Sequence, residues 1–170
     1  YGHILTNINV WSPDSRRIVY DVRSDLSGAS FDGDRIETVD IVTGEVKTLY
    51  TSQHGAKCGV VTFAPNQARV VFILGPEFPT PDFTYGAARR QGVMVDEDRP
   101  NQKINLDARD LVPPFTPGAL RGGSHVHVFH SDGEAVSFTY EDHVLSGVRD
   151  ETDGKQVNLR NVGVSLLGKP

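Results

Sequence analysis

Apolar and polar residues alternate along much of the chain, and three stretches repeat one alternation around a turn. "WSPDSRRIVYDVRSD" from Trp11, "FAPNQARVVFILGPE" from Phe63 and "FHSDGEAVSFTYEDH" from Phe129 align without gaps. Each opens on an aromatic residue and carries a second one nine positions later: Trp11 and Tyr20, Phe63 and Phe72, Phe129 and Phe138. Between them lie turn formers (Pro13-Asp14-Ser15, Pro65-Asn66-Gln67, Ser131-Asp132-Gly133) and one β-branched residue, Ile18, Val70 or Val136. Proline presets φ, Asp and Asn bond to nearby backbone, and glycine accepts φ > 0, so these centres favour turns. The flanks have the two-residue period of half-buried strands. Each stretch therefore predicts a β-hairpin.

A second hairpin is predicted over residues 35–50, where two alternating runs flank Thr43-Gly44. Two hairpins in series make a four-stranded blade. The second unit repeats this with residues 92–106 as its outer hairpin, and the third ends in an outer strand or pair over residues 155–167. No helical period is sustained over 11 residues. The prediction is an all-β chain, a β-propeller with about three four-stranded blades, read as part of one domain over residues 1–170. Blade 1 covers about 3–52, blade 2 about 54–110 and blade 3 about 122–168. Two Pro- and Gly-rich loops, 75–91 and 110–124, carry Phe78, Phe83, Tyr85 and Phe115. Long loops on a rigid scaffold are where binding usually resides, although they can equally cover apolar edges. Propellers close with about 4 to 8 blades, so three predict a fragment of a larger closed ring. The remaining blades are expected from the full-length chain or from another chain. Three blades alone would expose two apolar faces and associate.

Composition narrows the partners. The chain has 170 residues, 38% hydrophobic and 23% charged, with 17 glycines and 10 prolines, which suits many short elements and turns. A net charge of −5 without a basic cluster argues against nucleic acid or an anionic membrane surface. No apolar run is long enough to span a bilayer. The single Cys58 excludes an internal disulfide and any multi-cysteine zinc site. It fits a cytoplasmic protein, with the periplasm as alternative because the sequence starts at Tyr1.

The signature "WSPDSRRIVY" resembles the TolB-type β-propeller repeat. Longer stretches, among them "HILTN", "GVVTFAPN", "NLDARD", "PFTPGALRGGSHVHVF" and "VSFTYEDHV", resemble the N-terminal part of the YidR-like family of uncharacterised bacterial proteins. That resemblance implies further blades C-terminal to this chain and brings no function with it. A more distant likeness is to oligogalacturonate lyases, propellers that hold a divalent metal with His and Gln at the ring centre. "SHVH" supplies a similar His-x-His, but Gly122 stands three residues before His125, where a Gln would help.

The candidate chemistry lies mostly in histidine. On an unbroken strand His125 and His127 share one face with Phe129. His3 precedes Trp11 by eight residues and His54 precedes Phe63 by nine, so all four are expected near the start of an inner strand. Neutral imidazoles from several strands can hold Mn or Zn at a channel mouth, whereas the structural alternative is bonding to neighbouring blades or loops. His130 and His143 are expected to be structural or exposed. Arg121, beside Gly122-Gly123, is a candidate for pairing a substrate carboxylate, or for tying down its own loop. Asp32, Asp34 and Glu37 lack the full calcium-loop pattern and predict a solvated turn. The expected function is a binding scaffold that takes a protein or a small acidic saccharide at the channel mouth and long loops. The alternative is a metal-dependent carbohydrate-active enzyme, such as an oligogalacturonate-type lyase.

Overall fold

The computed structural model describes residues 1–155, 157, 159–166 and 168, and it places eleven strands in three antiparallel sheets. Sheet 1 is β1 (Gly2–Ile4), β2 (Arg17–Arg23), β3 (Arg35–Asp40) and β4 (Val46–Thr51), paired in chain order. Sheet 2 follows with β5 (Cys58–Phe63), β6 (Arg69–Leu74), β7 (Gln91–Asp96) and β8 (Ile104–Asn105). Sheet 3 consists of β9 (Gly122–Phe129), β10 (Ala135–Asp142) and β11 (Asn161–Leu166). The outer strand or pair expected over 155–167 is the single strand β11. Residues 156, 158 and 167 of that stretch lie outside the described residues. Helix is confined to a 3-10 turn at Ala87–Arg89 and one α-helical turn, α1 (His143–Ser146), capped by the Asp142 carboxylate on the Leu145 N–H. Among the described residues no helix is long and apolar enough to cross a membrane.

The repeated alternation becomes a repeated register. Trp11 pairs with Ile18, Phe63 with Val70 and Phe129 with Val136, so the three hairpins close in the same way. Phe63 and Phe129 end β5 and β9, whereas Trp11 sits in an isolated bridge because the inner strand of sheet 1 breaks after Ile4. The break falls at a position that is irregular in all three repeats. Ile8 of sheet 1 aligns with Val60 and Val126, and each valine has φ near +55° beside a register shift. Two residues then face one on the partner strand, which is a β-bulge. Valine rarely adopts this conformation, since its branched Cβ crowds the backbone. The Val60 N–H freed by the bulge donates to Asp21 Oδ1 (3.1 Å) across the junction with sheet 1.

The sheets stack through alternate faces. Val19, Ile36, Leu49 and Tyr50 of sheet 1 pack on Val61, Phe63, Phe72 and Val93 of sheet 2, with the Phe72 and Tyr50 rings 5.0 Å apart. The opposite face of sheet 2, with Val71 and Met94, packs on Phe129 and Val136 of sheet 3. Phe138 looks toward the sheet 2 side, with Gly163 opposite it on β11. A Cβ at residue 163 would come within 2.4 Å of the ring, so the ring lies where only glycine leaves space.

Both end faces are left uncovered. On sheet 1, His3, Leu5, Ile18, Tyr20, Val39 and Val46 line an open apolar groove. On sheet 3, Val162, Val164 and Leu166 are 80%, 59% and 53% exposed. A β-sheet face this apolar ordinarily packs against another layer.

Candidate functional site

The bulge at Val126 changes which side chains of β9 meet. Before it, His125 pairs with Thr139 and Ser124 with Tyr140; after it, Val128 pairs with Ser137 and Phe129 with Val136. Paired residues share a face, so Ser124, His127 and Phe129 turn toward sheet 2, while His125 goes with Val128 and Thr139 to the other side. The expectation that His125 and His127 share a face is therefore corrected. The extra residue at Val126 shifts the alternation by one.

His127 is fully buried, and its ring lies on Gly92 of β7, where a Cβ would stand 2.3 Å from Nε2. Nε2 is 3.0 Å from Ser124 Oγ, and Ser124 Oγ donates to Asp107 Oδ2 at 2.6 Å. The same carboxylate oxygen accepts from the Gly92 N–H (2.9 Å). Because the serine hydroxyl has one proton and gives it to Asp107, the ring proton sits on Nε2 and Nδ1 is a bare acceptor. Nδ1 and Asp107 Oδ1 are buried and without a partner. Burial is the largest influence on the protonation of His127 and Asp107. It pushes His127 down to about 3, helped by the charges of His125 and Arg90, and raises Asp107 above the usual carboxylate value. His125 is also lowered, to about 4, by burial and by Arg90.

Arg90 is the buried cation that adds to burial in lowering the two histidines. It is 9% exposed, its Nε has no partner, and its side-chain contact is Tyr85, whose hydroxyl lies 3.4 Å from Nη1. Tyr85 in turn stacks on Phe31 at 4.4 Å, and Arg23, paired with Asp21 at 2.7 Å, lies over Phe31. Loop 75–91 is thus fastened to the sheets by alternating guanidinium and aromatic groups. Ser124 N–H donates to the Arg90 carbonyl (3.1 Å), which joins the loop to the start of β9.

The remaining expected residues have surroundings of their own. His3 lies edge-on to Tyr20 in the uncovered groove of sheet 1. His54 occupies the turn before β5, φ +51°, stacked on Phe78 at 4.2 Å. His130 is exposed beside Asp132 (2.8 Å), and His143 opens α1 with its ring edge-on to Phe83. Among the described residues no three His, Cys, Asp or Glu side chains form a group that could hold a metal ion. Arg121 is committed internally: Nη2 and Nε lie 2.9 and 3.1 Å from Asp142 Oδ2, and its ring neighbour is Phe115. In the acidic turn, Asp32 accepts from Ser24, while Asp34 and Glu37 pair with Arg35.

The signature aromatics meet at the other end of the inner strands. Trp11, Phe63 and Phe129, one from each repeat, line a single cavity with Ile8, Asn9, Pro65 and Ser131. Adjacent repeats are bonded there as well, Phe63 N–H to the Asn9 carbonyl and Asn66 Nδ2 to the Asp132 carbonyl, each at 2.7 Å.

Comparison with known families places this arrangement. Residues 57–170, from the last turn before β5 to the end of the chain, match the family model described as "Protein of unknown function (DUF3748)". The chain belongs to the DUF3748 family. It is also 51% identical over 164 residues to "Uncharacterized protein YidR" of Escherichia coli (strain K12), a match that covers 96% of this chain and 37% of that protein. The DUF3748 segment includes Arg90, Asp107, Ser124 and His127, and both sheets that they join.

Proposed function

We propose that the three sheets are consecutive blades of a larger β-propeller and that the protein is a binding scaffold. The ligand or protein partner is taken up where loops 75–91 and 110–124 gather at the start of β9. The observation that supports this reading most is the meeting of Trp11, Phe63 and Phe129 in one cavity. Sheets stacked in a straight pile would carry their equivalent residues along a line, whereas blades set around an axis bring them together. The uncovered faces of sheets 1 and 3 are then the surfaces on which the remaining blades pack, supplied by the rest of a longer chain or by another chain. The chain spans 37% of the length of its curated relative, which leaves room for them there.

The metal-dependent lyase reading needs three donors at one point. The bulge turns His125 and His127 to opposite faces, and among the described residues no three donors form a group that could hold Mn or Zn, so we favour the scaffold reading. Two measurements on the intact protein test the scaffold reading. Elemental analysis is expected to find no stoichiometric divalent metal that is lost on His125→Ala, and incubation with oligogalacturonate is expected to yield no unsaturated uronate product. A bound metal lost with His125, or formation of that product, would replace the scaffold with the enzyme.

A further inference from the structure

Beside the loop that carries Arg90 lies a cavity of about 280 Å³, walled by Phe83, Arg89, Gln91, Arg109, Leu111 and Glu77. Among the described residues its cations have no ion-pair partner. Arg109 donates to the backbone carbonyls of Arg90 (3.1 Å) and Arg89 (3.5 Å) and to Gln91 Oε1 (3.4 Å). Arg89 reaches only the Thr84 carbonyl, at 3.4 Å, and lies over the Phe83 ring at 5.0 Å. Every ion pair found among the described residues involves other cations, so neither guanidinium has a carboxylate within 4 Å. Glu77, the acid in the wall, is already neutralised by Lys103 at 2.5 Å. Asp107 favours the charged form of Arg109 from a distance, but among the described residues it forms no ion pair with it, and its Oδ2 accepts from Ser124 and Gly92. His143, edge-on to Phe83, adds a buried Nδ1 without a partner and no negative charge.

For Arg109 the placement is costly without a ligand. A guanidinium withdrawn from water needs a charge partner, and carbonyl oxygens replace only part of its hydration. Burial already works against the charge on Arg109. Arg109 fastens the loop through its carbonyl contacts, whereas Arg89, in a loop outside the repeated hairpin, makes one long hydrogen bond and has no comparable structural task. A chain with a net charge of −5 also has acids available to pair with surplus arginines, as it does at Arg16, Arg69 and Arg160.

We propose that this cavity binds a small oxyanion, a carboxylate or a phosphate, held by the Arg89 and Arg109 guanidinium groups. Gln91 supplies a further polar contact, and Phe83 and Leu111 face the apolar part of the ligand. Planar guanidinium matches the two oxygens of a carboxylate or phosphate, which is why it is the group suited to this task. The assignment rests on the scaffold reading in that it names the ligand class of the loop end. It is tested separately, since it does not depend on metal content or on the remaining blades.

The test is calorimetric titration of the intact protein at fixed ionic strength with sodium phosphate, sodium glucuronate and glucose. Saturable binding of phosphate, of glucuronate or of both, with none for glucose, is expected, and the pattern tells a phosphate ligand from a carboxylate one. Arg89→Gln, whose side chain makes one long hydrogen bond, is expected to weaken that binding about tenfold or more, the loss of one charged pair. Arg99→Gln, an exposed arginine elsewhere, should leave it unchanged. Arg109→Gln also loosens the loop through its lost carbonyl contacts, so Arg89→Gln is the deciding variant. Absence of saturable binding for both anions, equal binding of glucose, or undiminished affinity in Arg89→Gln would overturn the proposal.

Discussion

Replacing Phe72 by alanine is expected to destabilise the intact protein by about 3–5 kcal/mol, the usual cost of emptying a phenylalanine site in a closed core. Phe72 is fully buried in the largest apolar cluster, at the junction of sheets 1 and 2 and against Tyr50. Its equivalents make the substitution informative. Phe138 occupies the same place in sheet 3, and Tyr20 the same place in sheet 1, where the groove beside it is open. If a further blade covers that groove, Tyr20→Ala costs nearly as much as Phe72→Ala. Urea unfolding of the two variants measures the comparison. Tyr20 is already only 6% exposed and bonded to Glu37. A Tyr20→Ala cost below about half that of Phe72→Ala would therefore show the groove to be open in the intact protein too.

His127→Val is expected to flatten the acid side of the stability profile. Sheet 2 carries Val61 at the aligned position of its inner strand, so valine suits the site in shape. The unfolded chain takes up a proton at residue 127 below its ordinary value of 6.5, while the folded protein resists until about pH 3. A folded value that lies below the unfolded one means that stability is complete above about 6.5 and drains away as pH falls through that window. At pH 5 the wild type has lost about 2 kcal/mol through this one group, from 1.5 units at about 1.4 kcal/mol each. The variant is expected to keep that amount and to lose about 1 kcal/mol at pH 7.5, where Ser124 gives up its imidazole partner. Unfolding curves at pH 7.5, 6 and 5 read the difference. Parallel pH dependence in variant and wild type would mean that His127 is not a buried neutral imidazole.

The hairpins, their turns and the stacking aromatics were legible in the sequence because each rests on a local rule: a two-residue period, a turn former, an aromatic nine residues on. The chemistry was less legible. The bulge at Val126 leaves no residue signature, since valine is among the last residues expected at positive φ, and without it His125 and His127 fall on one face. Asp107, Gly92 and Arg90 meet Ser124 and His127 only through the stacking of sheets 2 and 3, which no local pattern reports. One trace was present in the alignment of repeats: Ser124 and His127 stand where sheet 2 has Cys58 and Val61. Sheet 1 has Thr6 and Asn9 at the same two positions, so the contrast is with sheet 2 alone. Arg121 drew notice for its glycine neighbours, but Asp142, 21 residues further on, decides its role. His3 and His54 precede an aromatic by eight and nine residues, but His3 lies in β1, paired with Val22 at the uncovered face of sheet 1, and His54 in the turn before β5.

The central claim is that both end faces are covered by further blades in the intact protein, and cysteine accessibility tests it most directly. Val46 and Val162, 53% and 80% exposed on the two faces, are replaced one at a time by cysteine, with Val42 in the 76% exposed turn as reference. Cys58 does not compete, because it is buried and burial raises its thiol far above the ordinary value. In the intact native protein, Val42→Cys is predicted to label rapidly with a maleimide, and Val46→Cys and Val162→Cys only after unfolding. Native labelling of both at the rate of Val42→Cys would contradict the account.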